Sequence, residues 1–250
     1  MKKLGIIQTR GLGDIIIALP IAKFYTDQNY EVYWPICSHW VEQMTATAPY
    51  VHWLPVEPDR GPFFWDVPQK ILTDLKMDDV LCLYQALTNH PEFTDEPYFQ
   101  HTSFDKYKYI KAGVPFLNKW RLNECIHRNL DREQQLYNKY VKNPNYIVAH
   151  LQSSQQYVNL DLKQITPPDW QIIEIQEDGW VFDWLTIIEK AQSIIMTDSC
   201  FANLTDQLNL GDDRYFIPQN HIGLTPVHGN HWTWLDNPQL KPNSKIFRAG

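Results

Sequence analysis

The chain lacks the sequence features that mark several common classes of protein. Its four cysteines are far apart and form no C-x-x-C pair, so we expect free thiols in a reducing compartment. No apolar stretch is long enough to cross a bilayer, and Arg10 and Asp14 interrupt the apolar N-terminal segment, which argues against a signal peptide. We therefore expect a cytoplasmic protein with no membrane span. The cysteines are Cys37, Cys82, Cys125 and Cys200.

Positive charge is also scarce. The 22 Lys and Arg residues are outnumbered by 29 Asp and Glu residues, which gives a net charge of −7 and argues against a surface built throughout for nucleic acid. Lys106, Lys108 and Lys111 form one modest basic cluster that would serve a local groove. His221, His228 and His231 have no cysteine near them, so we expect no metal site.

What the chain does have is a regular alternation of strand-like and helix-like segments. This alternation predicts β-α-β units and an α/β fold with parallel sheets. Each half opens on a strand, a polar turn and a helix, which predicts two Rossmann-like lobes at 1–117 and 118–250. Ligands of such folds bind in clefts at the carboxyl ends of the strands. The predicted strands are Leu4–Ile7, Glu31–Trp34, His52–Val56, Val80–Tyr84, Tyr146–Leu151, Trp170–Ile175, Ser193–Thr197 and Arg214–Ile217. The predicted helices are Ile15–Phe24, Trp40–Thr47, Ser103–Ala112, Leu130–Val141, Val181–Gln192 and Ser199–Leu208, and 57–68 is predicted as a loop.

The first turn, Gln8–Asp14, joins a buried strand to a helix. Gly11 and Gly13 are predicted to let the chain turn tightly there, which places backbone N–H groups and the positive end of a helix dipole beside a ligand. Asp14 has two interpretations. It caps the helix, or it accepts a proton from an attacking hydroxyl.

A dinucleotide-binding fingerprint is a competing interpretation of this turn. That fingerprint requires a small third residue, where this chain has Ile16, and an acidic residue at the end of the second strand, which Glu31 begins instead. An NAD-dependent oxidoreductase is therefore disfavoured, but stays as an alternative.

Two further turns follow strands in the second half. In the first, Ser199 and the next backbone N–H groups are predicted to bind a diphosphate, with Asp198 as a possible helix cap. In the second, Ser153 and Ser154 follow His150, and their hydroxyls are suited to phosphate oxygens. Either turn alone is also typical of an ordinary connection.

Taken together, the three turns resemble the ADP-heptose-dependent heptosyltransferases and their relatives. The segment 9–20 is similar to their N-terminal G-D signature, 146–154 to their strand and H-P-G-x-S turn, and 184–203 to their helix, strand and D-[ST]-G-x-x-H turn. The resemblance implies a GT-B fold whose C-terminal lobe holds the donor nucleotide. It also implies that Asp14 is the general base. The residues that it implies at the donor's diphosphate and sugar are Asp198, Ser199, Cys200 and Asn203.

The chain departs from that pattern at three places. Cys200 replaces a glycine, Asn203 replaces a histidine, and Leu151-Gln152 replaces Pro-Gly. The sequence also shows no clear helix between Gln155 and Trp170. The identity of the donor sugar is therefore left open.

The resemblance thus implies an inverting glycosyltransferase. We expect no metal cofactor, because no D-x-D pair supports the manganese-dependent alternative fold. The donor is a nucleoside diphosphate sugar, and the acceptor is a bacterial surface glycan or a hydroxymethylated DNA base, as for phage-encoded transferases. A non-catalytic nucleotide-sugar binding protein is a further alternative, and the oligomeric state is not predicted. Asp14 is the predicted catalytic residue. The predicted binding residues are Arg10, Gly11, Gly13, His150, Ser153, Ser154, Asp198, Ser199, Cys200, Asn203, His228 and Trp232.

Overall fold

The fold is described from a computed structural model of the chain, in which two compact units follow one another in sequence. The first unit is Met1–His127 and the second begins at Arg128, whereas the boundary predicted between 117 and 118 lies earlier in the chain. A 3-10 helix at Phe116–Glu124 belongs to the first unit and packs against its first helix. The structure describes residues 1–57, 65–84, 102–153, 156–218, 225–228, 231–235 and 240–242.

The first unit contains a four-stranded sheet whose strands are all parallel, in the order β3-β2-β1-β4. Helices cover both faces of such a sheet, which is why β1 and β2 are rich in buried apolar residues. The strands are β1 Lys2–Ile7, β2 Tyr30–Cys37, β3 Val51–Val56 and β4 Asp79–Cys82. The helices are α1 Leu12–Asp27, α2 Ser38–Thr47, α3 Asp66–Asp74 and α4 Phe104–Lys111.

The second unit contains a five-stranded parallel sheet in the order β10-β9-β8-β5-β7, and a separate antiparallel pair, β6 with β11. The predicted fold class, α/β with two parallel-sheet lobes, is confirmed. The strands are β5 Tyr146–His150, β6 Gln156–Val158, β7 Gln171–Glu174, β8 Ser193–Thr197, β9 Arg214–Ile217, β10 Thr233–Trp234 and β11 Leu240–Pro242. The helices are α5 Leu130–Tyr140, α6 Leu162–Ile165, α7 Leu185–Glu189 and α8 Cys200–Gln207.

Two secondary-structure predictions are wrong. The single helix predicted over 181–192 is a 3-10 turn at Val181–Trp184 followed by the short α7. Asp183 accepts a hydrogen bond from the Trp180 backbone N–H at 2.7 Å, as in a capping box, and it also binds Arg132. The loop predicted over 57–68 is wrong at 66–68, where α3 begins, and its residues 58–64 lie outside the described part of the chain. The helix tolerates a proline in its first turn because the N–H there needs no partner within the helix.

The order of the strands reverses at one point in each sheet. In the first unit the chain runs outward from β1 to β2 and β3, and β4 then pairs with the other side of β1. In the second unit β7 pairs with one side of β5, and β8 with the other. Ligands of open α/β sheets bind at the carboxyl ends of the strands at such reversals. The segments that follow β1 and β4, and those that follow β5 and β8, are therefore the expected ligand-binding positions.

Candidate functional site

The turn after β1 depends on Gly11. Its φ of 77° lies in the left-handed region, and a Cβ added there would lie 2.5 Å from Oδ2 of Asp14. A side chain at this position would therefore be strained and would displace the Asp14 carboxylate. Gly13 lies inside the first turn of α1 and has no positive φ, so the prediction that both glycines make the turn is wrong for Gly13.

Asp14 lies in the first turn of α1 with its side chain 38% exposed. The N-cap position of the helix is Gly11, which has no side chain, and Asp14 Oδ1 instead pairs with Lys108 Nζ at 3.0 Å. The interpretation of Asp14 as a helix cap is therefore wrong. The structure places at this strand end a carboxylate that is paired on one oxygen and open to solvent.

Lys108 reaches this carboxylate from α4, and its side chain is 3% exposed. Its Nζ also donates to Gln8 Oε1 at 2.7 Å and to the Leu83 carbonyl at 3.0 Å. The predicted basic cluster is thus wrong in one of its three members, because Lys108 points inward while Lys106 and Lys111 are exposed.

Tyr84, just beyond β4, binds two backbone N–H groups of the turn that follows β1 through its hydroxyl. It accepts hydrogen bonds from the N–H groups of Thr9 and Arg10 at 2.9 and 3.0 Å. Burial raises the pKa of Tyr84, so the phenol is neutral at physiological pH. A dinucleotide fingerprint uses the amides of its turn for pyrophosphate, and Tyr84 holds two of them here, which counts against that alternative. The side chain of Arg10 is exposed beside this turn.

In the second unit, the reversal of strand order brings together His150, at the end of β5, and Ser199, just after β8. His150 Nδ1 lies 3.0 Å from Ser199 Oγ, and the imidazole ring packs on Phe201 with ring centroids 4.7 Å apart. Burial lowers the pKa of His150 to about 4, so the ring is neutral at pH 7. It therefore acts here as a neutral hydrogen-bonding group.

Ser199 is the N-cap of α8, and its Oγ accepts a hydrogen bond from the Ala202 backbone N–H at 3.3 Å. The possible cap role of Asp198 is therefore wrong, since that residue lies one position before the cap. Burial raises the pKa of the Cys200 thiol to about 12, so this side chain is uncharged. The first turn of α8 lies at the carboxyl end of β8, as an anion site requires.

Two other predicted donor-binding residues of this unit, Asn203 and Ser153, are less accessible to solvent than Ser199. Asn203 is 5% exposed, and its Oδ1 has no hydrogen-bond partner among the described residues. Ser153 is buried. Ser154 lies outside the residues that the structure describes.

Trp232 and His228 both donate hydrogen bonds to Asp206, a residue of α8. The indole Nε1 of Trp232 donates to Asp206 Oδ1 at 3.0 Å, and the His228 backbone N–H donates to Asp206 Oδ2 at 3.4 Å. Trp232 is 5% exposed and His228 is half-buried. Asp206 therefore holds Trp232 and His228, two residues predicted to bind ligand, in place. The sequence analysis did not identify Asp206.

Among the residues that the structure describes, no group of three or more His, Cys, Asp or Glu side chains is arranged to hold a metal ion. Of the described helices, none combines the length and the apolar character needed to cross a bilayer.

Each unit has a parallel sheet with a polar cluster at its strand ends, as each lobe of the GT-B class of fold does. The structure is similar to E. coli ADP-heptose LPS heptosyltransferase II, with a TM-score of 0.55 and 10% identity over 94% of this chain and 90% of that chain. It is also similar to a family 9 glycosyl transferase from Veillonella parvula, with a TM-score of 0.54 and 12% identity over 94% and 85% of the two chains. The E. coli heptosyltransferase WaaC, solved with ADP, gives a TM-score of 0.53 and 10% identity over 94% and 92%. No protein-family model matches the sequence, and no curated protein matches it significantly. The resemblance seen in the three turns is thus confirmed as a likeness of fold.

Proposed function

We propose that this protein is a glycosyltransferase that moves a sugar from a nucleoside diphosphate sugar to an acceptor hydroxyl. The observation that carries the proposal is Asp14, a carboxylate 38% exposed at the strand reversal of a GT-B fold, with one oxygen held by a buried lysine. A general base must be accessible to the substrate and fixed in position, and Asp14 meets both conditions.

In the proposed reaction, Asp14 accepts the proton of the acceptor hydroxyl while the hydroxyl oxygen attacks the anomeric carbon of the donor sugar. The bond between that carbon and the diphosphate oxygen breaks, and the nucleoside diphosphate leaves with the electron pair. Attack on the face opposite the leaving group inverts the anomeric configuration. The acceptor proton ends on Asp14 and the negative charge on the leaving diphosphate.

On the donor side, we propose that the diphosphate binds at the start of α8. Backbone N–H groups and the positive end of the helix dipole stabilise the charge that develops there, and Ser199 is the residue at that end. The neutral His150 fixes the Ser199 hydroxyl. The E. coli neighbour solved with ADP supports a nucleoside diphosphate as the ligand class. Because Cys200 and Asn203 stand where the heptosyltransferase pattern has other residues, the sugar itself is not assigned.

Of the two acceptor classes predicted from the sequence, we propose the glycan. Binding of DNA depends on lysine and arginine at the phosphates. Burial of Lys108 leaves Lys106 and Lys111 as the exposed members of the predicted basic cluster, and the net charge is −7. A glycan acceptor requires no such cluster.

The test is a screen of nucleoside diphosphate sugars by thermal shift, followed by incubation of each stabilising donor with glycan acceptors and with DNA that contains hydroxymethylated bases. A ligand at 100 times its Kd adds about 2.7 kcal/mol to the free energy of unfolding, which is readily measured. We expect one donor class to stabilise the protein and its sugar mass to appear on a glycan. Donor binding without transfer to any acceptor would instead indicate a binding protein, and stabilisation by NAD alone would indicate an oxidoreductase.

A further inference from the structure

We propose that Lys108 is a positioning residue that holds the Asp14 carboxylate for proton transfer. Lys108 is not part of the three turns that carry the family resemblance, and it lies on α4, far from Asp14 in the sequence. This inference rests on the proposed function, because it assigns Lys108 a role in the same reaction.

The first observation is that the ammonium group is fully bound. A lysine ammonium has three N–H donors, and Lys108 Nζ lies 3.0 Å from Asp14 Oδ1, 2.7 Å from Gln8 Oε1 and 3.0 Å from the Leu83 carbonyl oxygen. Gln8 follows β1 and Leu83 follows β4, so the lysine is tied to both strands that flank the reversal of strand order. The nitrogen is therefore fixed by the sheet, and it fixes Asp14 Oδ1 in turn.

The second observation is a contrast with the other buried lysine pair of the first unit. Lys119 and Asp105 lie 2.8 Å apart, and both side chains are 0% exposed, as in a structural pair. Lys108 is equally buried, at 3% exposed, but its partner Asp14 is 38% exposed. Burying an ammonium group is costly unless it is paired. Here the buried lysine stabilises a carboxylate that remains open to a substrate.

The third observation concerns the second carboxylate oxygen. Asp14 Oδ2 lies beside Gly11, since a Cβ added to Gly11 would be only 2.5 Å from this oxygen. With Oδ1 bound to Lys108, Oδ2 is the oxygen that accepts the acceptor's proton. Lys108 thus selects the oxygen and the rotamer that act, without itself touching the acceptor.

The test compares Lys108→Met with Lys119→Met in the full chain, with kcat, the two KM values and the thermal midpoint measured for each. Both variants remove a buried ammonium group from a carboxylate that it pairs with, so both are expected to be less stable. We expect Lys108→Met to lower kcat by about 10- to 100-fold, since small misplacements of a reacting group have effects of this size. The KM for the donor should stay within about twofold, because the donor is bound elsewhere. Lys119→Met should keep its kcat per folded molecule.

A double-mutant cycle separates positioning of Asp14 from any other effect. If Lys108 acts through Asp14, then Lys108→Met in an Asp14→Asn background should cause no further loss of kcat. A further loss equal to that in the wild-type background would overturn the inference, and so would equal losses for the Lys108 and Lys119 variants.

If Lys108→Met does not fold, Gln8→Leu removes one acceptor that fixes the ammonium group, and it should lower kcat in the same direction by about 3- to 10-fold. An unchanged kcat in a folded Gln8→Leu variant would then overturn the inference. If the wild-type protein transfers no sugar at all, the proposed function itself is wrong and the role of Lys108 in it falls with it. An active wild type with insensitive variants overturns the positioning role alone.

Discussion

At Gly11, the backbone conformation and the position of the Asp14 carboxylate depend on the same missing side chain. Gly11→Ala should lose about 1–2 kcal/mol because its φ of 77° is left-handed, and it should also lose sugar transfer because the new Cβ would displace Asp14 Oδ2. Gly113 is a matched control, since its φ is 63° and nothing lies within 4 Å of an added Cβ. Gly113→Ala should lose a similar free energy of unfolding in urea and keep its transfer rate. Equal transfer rates in the two variants would contradict this account of the turn.

His150 should make the stability of the protein depend on pH. Burial lowers the pKa of His150 to about 4 in the folded protein, against 6.5 for an unperturbed histidine. Between these values the unfolded chain binds more protons, so the free energy of unfolding should fall as the pH drops from about 6.5 to about 4. The loss attributed to His150 is on the order of 3 kcal/mol and should not grow below pH 4.

The measurement is urea unfolding across this pH range for the wild type and for His150→Gln, which has no titrating side chain at this position. The wild type should lose more stability toward acid than the variant does. Parallel curves would show that His150 titrates normally in the folded protein.

At the scale of elements, α8 combines a helix cap with the proposed donor site. Ser199→Ala removes the cap from α8 and the partner of His150, and should cost about 1 kcal/mol of stability and weaken donor binding. Asn129→Ala is a matched control, because Asn129 Oδ1 caps α5 by accepting the Arg132 backbone N–H at 3.1 Å. Calorimetric titration with the donor found in the screen should separate the two variants. Similar donor affinity in both would rule out α8 as the donor site.

Strands and helices that are marked by a pattern of neighbouring residues could be predicted from the sequence. The bounds of β8 and β9 were predicted correctly, because each is a short apolar run between polar residues. The helix predicted over 181–192 instead begins in the 3-10 form and ends at Glu189. Asp183 in its first turn is bound by Arg132, a partner about fifty residues away that no local pattern reveals. The helix α3 was missed because the prolines and aromatic residues near its start indicate a loop.

The residues of the candidate site also fall into those that a local sequence pattern marks and those that no local pattern marks. Asp14 and Ser199 were predicted because each lies in a strand-to-helix turn, where chemistry can be argued from neighbouring residues. The roles of Lys108, Tyr84 and Asp206 at the site were missed, since their partners lie roughly 20 to 90 residues away and become neighbours only when the sheets form. A buried lysine on a short helix has no sequence signal that distinguishes it from a solvent-exposed one.

At the scale of the whole molecule, each of the two units presents its polar cluster at the reversal of its own strand order. The first has an open carboxylate tied to a buried lysine, and the second a capped helix start beside a neutral histidine. Proton acceptance and diphosphate binding require these different kinds of group. We propose that the first unit accepts the acceptor's proton and that the second binds the donor's diphosphate.

The most direct test of the central claim is the rate of sugar transfer by Asp14→Asn, measured with the donor and acceptor that the wild type uses. The variant keeps the size of the side chain and removes a strong base. We predict a fall in kcat of about 10²- to 10⁴-fold with donor affinity close to that of the wild type. The thermal midpoint should fall, because the buried Lys108 loses its charged partner. A folded Asp14→Asn protein that transfers sugar at a near-normal rate would contradict the assignment of Asp14 as the base.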